Sequence, residues 1–267
     1  MLTDIRAIAF DVNGTLVEIE TDEGLEEIFR AAGHYLTYQG IDLRRQEVRE
    51  LYVRTLKEQQ RHSPEEYPEF DAVAAWRTIV DEHATDFTRA LPAARREQIP
   101  LFLAELYRGV SRRRLRLYPY VRAVLDVLRR HFPLALVTDA QSAYARGELH
   151  QVGLLEYFDP IVVSGDHGYR KPDKRLFDLA LDGLGVDAAG TLFVGNDMHR
   201  DIWGAREAGM RTVMFDSPQG TKEHLGCAAD HTITDYRELL ALLGLPPLPA
   251  EDQPGPDGRS SAARPDA

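Results

Sequence analysis

Polar side chains that could do chemistry together recur in this sequence at or just after short apolar runs. They are Asp11, Thr138, Lys171 and the set Asn196, Asp197 and Asp201. A carboxylate can act as a nucleophile or bind a metal ion, and a hydroxyl and an ammonium group can hold the oxygens of a phosphate. Further acids suit Mg²⁺, which prefers oxygen ligands and keeps several waters. These residue types predict a reactive carboxylate beside an anion site and a metal site.

The elements that must position these groups are predicted strands. The first apolar run, residues 5–10, is too short for a typical helix and ends abruptly at Asp11, as a buried strand does when it delivers a charged group to a crevice. We predict further strands at 134–137, 160–164, 191–194, 212–215 and 231–234. Helices are predicted at 119–131, 141–152, 172–184, 199–208 and 235–243. This alternation predicts an α/β fold with a parallel sheet covered on both faces, whose strand ends meet at one edge.

The segment 18–116 has a different hydrophobic pattern. Apolar residues recur at helical spacing in 22–38, 44–60, 71–90 and 93–109, and no strand is predicted there. The basic run 112–116 is interpreted as a solvated face at the junction. We therefore predict a Rossmann-like core from 1–17 and 117–245, an inserted all-α domain at 18–116, and a disordered tail at 246–267, where proline, glycine and charged residues dominate.

Bulk composition limits the possible functions. The formal net charge of −11, from 43 acidic and 32 basic residues, disfavours nucleic-acid binding but leaves small anionic substrates possible. The one cysteine, Cys227, excludes an internal disulfide and favours a reducing, cytoplasmic setting. No signal peptide or membrane-length apolar run is recognised. The sequence carries no signal for oligomeric state or for the identity of the substrate.

Four segments resemble, in order, the four motifs of the haloacid dehalogenase (HAD) superfamily. They are Asp-x-x-Gly-Thr-Leu at 11–16, Thr138 after an apolar strand, Lys171-Pro172 opening a helix, and Gly195-Asn-Asp-x-x-x-Asp201-x-x-Gly-Ala-x-x-Ala-Gly209. The resemblance covers about residues 5–240. The helical segment resembles the cap domain that this family inserts after the nucleophile strand.

The resemblance implies a division of roles. Asp11 would attack the substrate and form a covalent aspartyl intermediate. Thr138 and Lys171 would bind phosphoryl oxygens of a small phosphorylated substrate, and Lys171 would offset the charge between Asp11 and the acidic motif. The ligands implied for Mg²⁺ are Asp11, the main-chain carbonyl of Asn13, and members of the set Asn196, Asp197 and Asp201.

Two positions depart from the phosphatase pattern of the family. The residue two after the nucleophile is usually an Asp that serves as general acid and base, but here it is Asn13. General acid–base help contributes roughly 10²–10⁴-fold to a rate, and an amide cannot exchange a proton near neutral pH. The position that matches the usual metal-binding Asp is Asn196, whose oxygen can bind a metal but carries no charge.

These departures leave three functions open. The first is Mg²⁺-dependent phosphatase activity, and Asn13 favours substrates with good leaving groups such as acyl phosphates. The second is hydrolysis of a non-phosphate substrate by Asp11, such as cleavage of a carbon–halogen bond. It ranks below phosphoryl transfer, because the sequence keeps acids at 197 and 201 that could hold a metal. The third is a catalytically degenerate protein that binds a phosphorylated ligand or a protein partner.

Overall fold

The structure is a computed structural model that describes residues 2–249. Its strands are β1 (Ala7–Phe10), β2 (Val17–Thr21), β3 (Arg112–Leu117), β4 (Leu134–Thr138), β5 (Ile161–Val163), β6 (Thr191–Gly195), β7 (Arg211–Phe215) and β8 (His231–Ile233). Six of them form a sheet in the order β5-β4-β1-β6-β7-β8, and every neighbouring pair is parallel. The predicted α/β class and the six-stranded parallel sheet are confirmed.

The centre of this sheet positions the predicted site. β1 lies between β4 and β6, and all of its residues are buried, which explains its unbroken apolar sequence. Chain order reverses at β1, because β4 lies on one side and β6 on the other. Such a switch point leaves a crevice beyond the carboxyl ends of the strands. Asp11, which follows β1 directly, therefore sits at the crevice.

Helices cover both faces of the sheet and form a second unit. They are α1 (Glu26–Tyr38), α2 (Arg45–His62), α3 (Ala72–Glu82), α4 (Asp86–Ala90), α5 (Ala93–Ser111), α6 (Val121–Leu128), α7 (Ser142–Gln151), α8 (Lys174–Leu184), α9 (Gly204–Glu207) and α10 (Arg237–Leu242). Helices α1, α2, α3 and α5 pack around one hydrophobic cluster that contains Trp76, whereas the sheet packs into two other clusters. We call residues 22–111 the helical unit.

Two predicted helices differ from the observed ones. The helix predicted at 71–90 is interrupted at 83–85, where Thr85 begins α4 by accepting a hydrogen bond from the Thr88 N–H. The helix predicted at 199–208 begins as a π-helix over Met198–Trp203 and continues as α9. Hydrophobic spacing does not distinguish these cases, because a local cap and a widened turn change the backbone without changing the apolar face.

The prediction that 18–116 contains no strand is wrong. β2 and β3 pair antiparallel at the junction of the helical unit and the core, and Glu18 lies opposite Arg116. Glu18 also binds Arg114 at 2.6 Å, so the basic run forms a charged ladder along one strand. The signal was the alternation of Ile19 between two glutamates, which is strand periodicity in a very short segment.

The last described residues contact the core. Residues 246–249 form no helix or strand, but Leu248 packs against the core. The remainder of the predicted disordered tail, 250–267, lies outside the described residues. Within residues 2–249, no helix combines the length and the apolar character needed to cross a bilayer.

Candidate active site

A buried lysine joins two carboxylates at the carboxyl edge of the sheet. The Lys171 Nζ donates to Asp11 Oδ1 at 2.6 Å and to Asp201 Oδ1 at 2.7 Å. All three residues are at most 4% exposed. Asp11 follows β1, Lys171 lies in the loop between β5 and α8, and Asp201 lies in the π-helix after β6. The structure thus brings together residues that are up to 190 positions apart, as the strand ends predict.

The charges of this trio stabilise one another. Burial lowers the pKa of Lys171, but the negative charges of Asp11 and Asp201 outweigh burial and raise the pKa above its usual value. Lys171 is therefore a permanent cation. Asp201 is held further by the backbone N–H groups of Asn196 and Asp197, which both donate to Oδ2 at 3.0 Å. The arrangement keeps a positive charge beside the Asp11 carboxylate without exposing either to bulk water.

A hydroxyl group links Asp11 to Asn196. The Thr15 Oγ1 lies 2.8 Å from Asp11 Oδ2 and 3.1 Å from Asn196 Oδ1. Gly14, at φ +84°, makes room for Asn196, because a Cβ there would lie 2.4 Å from the Asn196 Nδ2. Gly220 is equally close on another side. The amide is therefore packed with its oxygen directed toward Thr15 and Asp11.

Of Thr138 and Asn13, only Asn13 lines the larger cavity that contains Asp11. Both residues line a small cavity of about 10 Å³ together with Ala140. Thr138 does not cap α7, because the cap residue is Gln141. Its hydroxyl is buried and has no hydrogen-bond partner within the described part of the chain. A buried hydroxyl without a partner is costly, so Thr138 carries an unused hydrogen-bonding group.

Asp197 has a different environment from the other predicted metal ligands. Its Oδ1 accepts the N–H groups of His199 and Arg200, and its Oδ2 accepts the Thr221 N–H and the Arg200 guanidinium. Burial raises its pKa, but these backbone hydrogen bonds and the Arg200 charge lower it to about 2. Both oxygens are thus engaged in holding the start of the π-helix and the 217–221 loop.

A cavity of about 340 Å³ opens onto Asp11 and Lys171 between the sheet edge and the helical unit. Its walls include Asn13, Asn196 and Asp201 from the predicted set. The helical side of the cavity is formed by Ile19, Glu23, Glu69, Phe70 and Arg108. A larger groove of about 860 Å³ runs along α1 and α2, but it contains none of the predicted site residues. The cavity at Asp11 is the candidate active site.

Among the residues that line this cavity but were not predicted as site residues are Asp139, Gln141 and Glu69. Asp139 accepts the Lys171 N–H at 2.9 Å, and Gln141 donates to the Phe70 carbonyl at 2.7 Å. Glu69 accepts the Ser164 hydroxyl at 2.7 Å. Asp139 could have been recognised, because it follows a strand end as Asp11 does. Glu69 gives no such signal, since it reaches the cavity from a loop between two helices.

The donor set suits a weakly held hard cation. Within residues 2–249, no group of three or more His, Cys, Asp or Glu side chains is arranged to hold a metal. However, Mg²⁺ is usually held by only one or two carboxylates together with substrate oxygens and water. The Asp11 carboxylate and the Asn196 amide oxygen flank the same Thr15 hydroxyl, and Asn13 lines the same cavity. These oxygen donors fit such an ion.

Comparisons with known proteins agree with this geometry. A family model described as haloacid dehalogenase-like hydrolase matches residues 5–209. The chain is 35% identical over 179 residues to a phosphoserine phosphatase from Thermus thermophilus, an alignment that covers 65% of this chain and 69% of the relative.

Two solved structures share the fold. A 2-haloacid dehalogenase from Pseudomonas syringae superposes with a TM-score of 0.63 at 24% identity, covering 90% of this chain and 98% of that one. An HAD phosphatase from Thermococcus onnurineus superposes with a TM-score of 0.56 at 24% identity, with the same coverage of both chains. The parallel sheet, the lysine-bridged carboxylates and the match over residues 5–209 lead to one conclusion: the chain belongs to the haloacid dehalogenase-like hydrolase family.

Proposed function

We propose that the protein is a phosphatase that cleaves small phosphorylated metabolites through a covalent aspartyl-phosphate on Asp11. The observation that carries the proposal is the contact of the Lys171 ammonium with Asp11 Oδ1 at 2.6 Å in a buried site. A fixed cation beside the nucleophile lowers the repulsion between a carboxylate and an anionic phosphate. Curated relatives that include a phosphoserine phosphatase support the same reaction class.

The reaction would proceed in two displacements at phosphorus. An Asp11 oxygen forms a bond to phosphorus while the bond from phosphorus to the leaving oxygen breaks, and the organic product departs. Water then attacks phosphorus, the bond between phosphorus and the Asp11 oxygen breaks, and inorganic phosphate leaves with both protons of the water, which restores the Asp11 carboxylate. The free Thr138 hydroxyl and the Lys171 ammonium are suited to hold phosphoryl oxygens during both steps.

A divalent cation, most suitably Mg²⁺, fits beside Asp11. The groups that would hold it are the Asp11 carboxylate, the Asn13 main-chain carbonyl and the Asn196 amide oxygen. Such an ion neutralises phosphate charge when it is bound. The metal role predicted for Asp197 is not favoured, because four hydrogen bonds already occupy its oxygens. Asp201 is engaged by Lys171 and two backbone N–H groups.

Asn13 shapes the substrate range. Because its amide cannot protonate a leaving group, alkyl phosphates would depart slowly. Acyl phosphates need little protonation, and we propose that they are cleaved faster than alkyl phosphates. We further propose that residues 18–116 act as a cap, since the helical unit supplies Glu23, Glu69 and Arg108 to the cavity. The role of such a cap would be to exclude water from the reaction.

The test is a substrate panel with and without Mg²⁺. Acetyl phosphate, alkyl phosphates and haloacids are assayed with the native protein, with Asp11→Asn, and with Asp182→Asn, an exposed control on α8. We expect Mg²⁺-dependent phosphate release that Asp11→Asn abolishes and Asp182→Asn retains. Haloacid turnover in the presence of a chelator would instead identify a dehalogenase. Ligand binding with no turnover of any compound would identify a degenerate member of the family.

A further inference from the structure

The charged walls of the active-site cavity are not balanced. Each basic side chain that lines it lies within ion-pair distance of a carboxylate; the pairs are Lys171 with Asp11 and Asp201, Arg108 with Glu148, Arg170 with Asp139, and Arg200 with Asp139 and Asp197. Two acidic side chains in the same lining, Glu23 and Glu69, have no ion-pair partner within residues 2–249. Beyond the Lys171 trio, the cavity therefore has spare negative charge.

Hydrogen bonds hold the Glu69 side chain in position. Its oxygens accept hydrogen bonds from the Ser164 hydroxyl at 2.7 Å, the Phe70 N–H at 3.1 Å and the Gln141 amide at 3.4 Å. All three partners are neutral donors. Burial raises the pKa of Glu69, which reflects the cost of keeping its charge away from water, whereas the Arg170 charge lowers that pKa without forming an ion pair with Glu69. A cation from a ligand would offset this cost.

A second acceptor in the cavity has an unfilled position. The Asp139 side chain is only 8% exposed, and its Oδ1 accepts the Lys171 N–H. Its Oδ2 has no hydrogen-bond partner in the described part of the chain, because the nearest arginine nitrogens lie 3.7 Å away. Phe70 lines the same cavity, and aromatic faces attract cations. Asp139 faces two arginines and therefore offers a hydrogen-bond acceptor but no spare charge. The spare negative charge of the cavity lies on Glu69 and Glu23.

We propose that Glu69, assisted by Glu23, binds an ammonium group on the organic part of the substrate. The substrate class is then a phosphate compound that carries an amine. This inference rests on the proposed function, since it assigns the organic end of a substrate whose phosphate lies at Asp11 and Lys171. Glu69 acts here as a specificity residue and takes no part in bond breaking.

The experiment uses phosphonates, which bind without being cleaved. Their binding therefore does not depend on the leaving-group protonation that Asn13 cannot provide. Three compounds are compared as competitive inhibitors of acetyl phosphate turnover: 2-aminoethylphosphonate, 2-hydroxyethylphosphonate and 3-phosphonopropionate. The first two differ only in an ammonium against a hydroxyl group, and the third carries a carboxylate. We expect the amine to bind about tenfold more tightly than the alcohol, because a charge-assisted hydrogen bond is stronger than a neutral one. The carboxylate should bind most weakly.

Matched variants assign the effect. Glu69→Gln keeps an oxygen that can accept the Ser164 hydroxyl, so the loop stays in place, and the preference for the amine should fall to about onefold. Glu66→Gln, an exposed neighbour in the same loop, should keep the full preference. Equal inhibition by the three compounds, or tightest binding of 3-phosphonopropionate, would overturn this inference and leave the phosphatase proposal intact. A full preference for the amine in Glu69→Gln would also overturn it. Failure of the native protein to turn over acetyl phosphate or any phosphate ester would overturn the phosphatase proposal, and this inference with it.

Discussion

At the scale of single residues, the site depends on one lysine that serves two acids. Lys171 holds Asp11 and Asp201 at 2.6 and 2.7 Å, and all three are buried. Two buried carboxylates this close to one another would repel strongly without the cation. Lys171 is therefore both a charge for the substrate phosphate and a condition for the folded site.

Replacing Lys171 tests both consequences. In Lys171→Met, we expect kcat/KM for acetyl phosphate to fall by at least about 10²-fold, because a preorganised charge is lost. The free energy of unfolding should fall by about 3–5 kcal/mol, because a buried ion pair loses one partner. Phosphate release and urea unfolding measure the two effects. Lys174→Met, an exposed control whose lysine pairs with Asp178, should change neither substantially. Native-like turnover by Lys171→Met would contradict the assignment.

The only asparagines of the chain, Asn13 and Asn196, both lie in this site. Asn13→Asp restores a group that can exchange protons beside the cavity. We expect hydrolysis of alkyl phosphates to rise by about 10²–10⁴-fold, the usual contribution of general acid–base catalysis. Acetyl phosphate, whose leaving group needs little protonation, serves as the internal control and should change far less. A similar change for both substrates would show that Asn13 does not limit leaving-group protonation.

The residues that sequence could predict share one physical property. Asp11, Thr138 and Asn196 lie at or next to the ends of buried strands, so an apolar run followed by a polar residue marks them. Glu69 and Gln141 could not be predicted as site residues, because their positions depend on how the 63–71 loop docks on the core. Tertiary contacts of this kind leave no periodic pattern.

At the scale of elements, three short segments that the sequence did not predict help to position the site: β2, β3 and the π-helix after β6. β2 and β3 escaped prediction because each is short and rich in charged residues, and their pairing depends on cross-strand contacts such as that of Glu18 with Arg116. The π-helix after β6 is also not predictable from hydrophobic spacing, which does not distinguish it from an α-helix. It begins at Asp197, whose side chain accepts two backbone N–H groups in its first turn. That cap places Asp201 where it meets Lys171.

The cap gives a stability prediction with a defined pH dependence. Asp197 has a pKa of about 2 in the folded protein, whereas an unfolded Asp titrates near about 3.9. Its stabilising effect is therefore complete above about pH 5 and is lost as the pH falls from about 4 toward 2. Asp197→Asn should lower the free energy of unfolding at pH 7 by about 1–2 kcal/mol, and by much less near pH 2.5.

Urea unfolding at several pH values measures this difference. Asp81→Asn, an exposed substitution on α3, is the control and should leave the pH profile of stability unchanged. If Asp197→Asn lowered stability equally at pH 7 and pH 2.5, the charge of Asp197 would not be the source of its effect.

At the scale of the whole molecule, two packed units meet over one cavity. The helical unit has its own hydrophobic cluster, and besides β2 and β3 it reaches the core through the 63–71 loop. That loop docks through the Tyr67 carbonyl, which accepts the Arg170 N–H, and the Glu69 N–H, which donates to the Gly168 carbonyl. The Gln141 side chain donates to the Phe70 carbonyl and to the Glu69 carboxylate, and it accepts the Ala72 N–H. The position of Glu69 in the cavity therefore depends on this docking.

Gln141→Ala tests that dependence across the whole molecule. The Gln141 side chain is buried, and its removal leaves two backbone groups without their partners, so we expect the free energy of unfolding to fall by about 1–3 kcal/mol. Because the loop would open more often, amide hydrogen exchange in 63–71 should accelerate, while exchange in β1 and β6 should change only as much as global stability does.

The preference for 2-aminoethylphosphonate over 2-hydroxyethylphosphonate should fall together with loop protection, since Glu69 would no longer be fixed. Gln46→Ala, an exposed substitution on α2, should affect none of these measurements. Native exchange in 63–71 of Gln141→Ala would mean that the backbone contacts of Tyr67 and Glu69 suffice to hold the loop on the core.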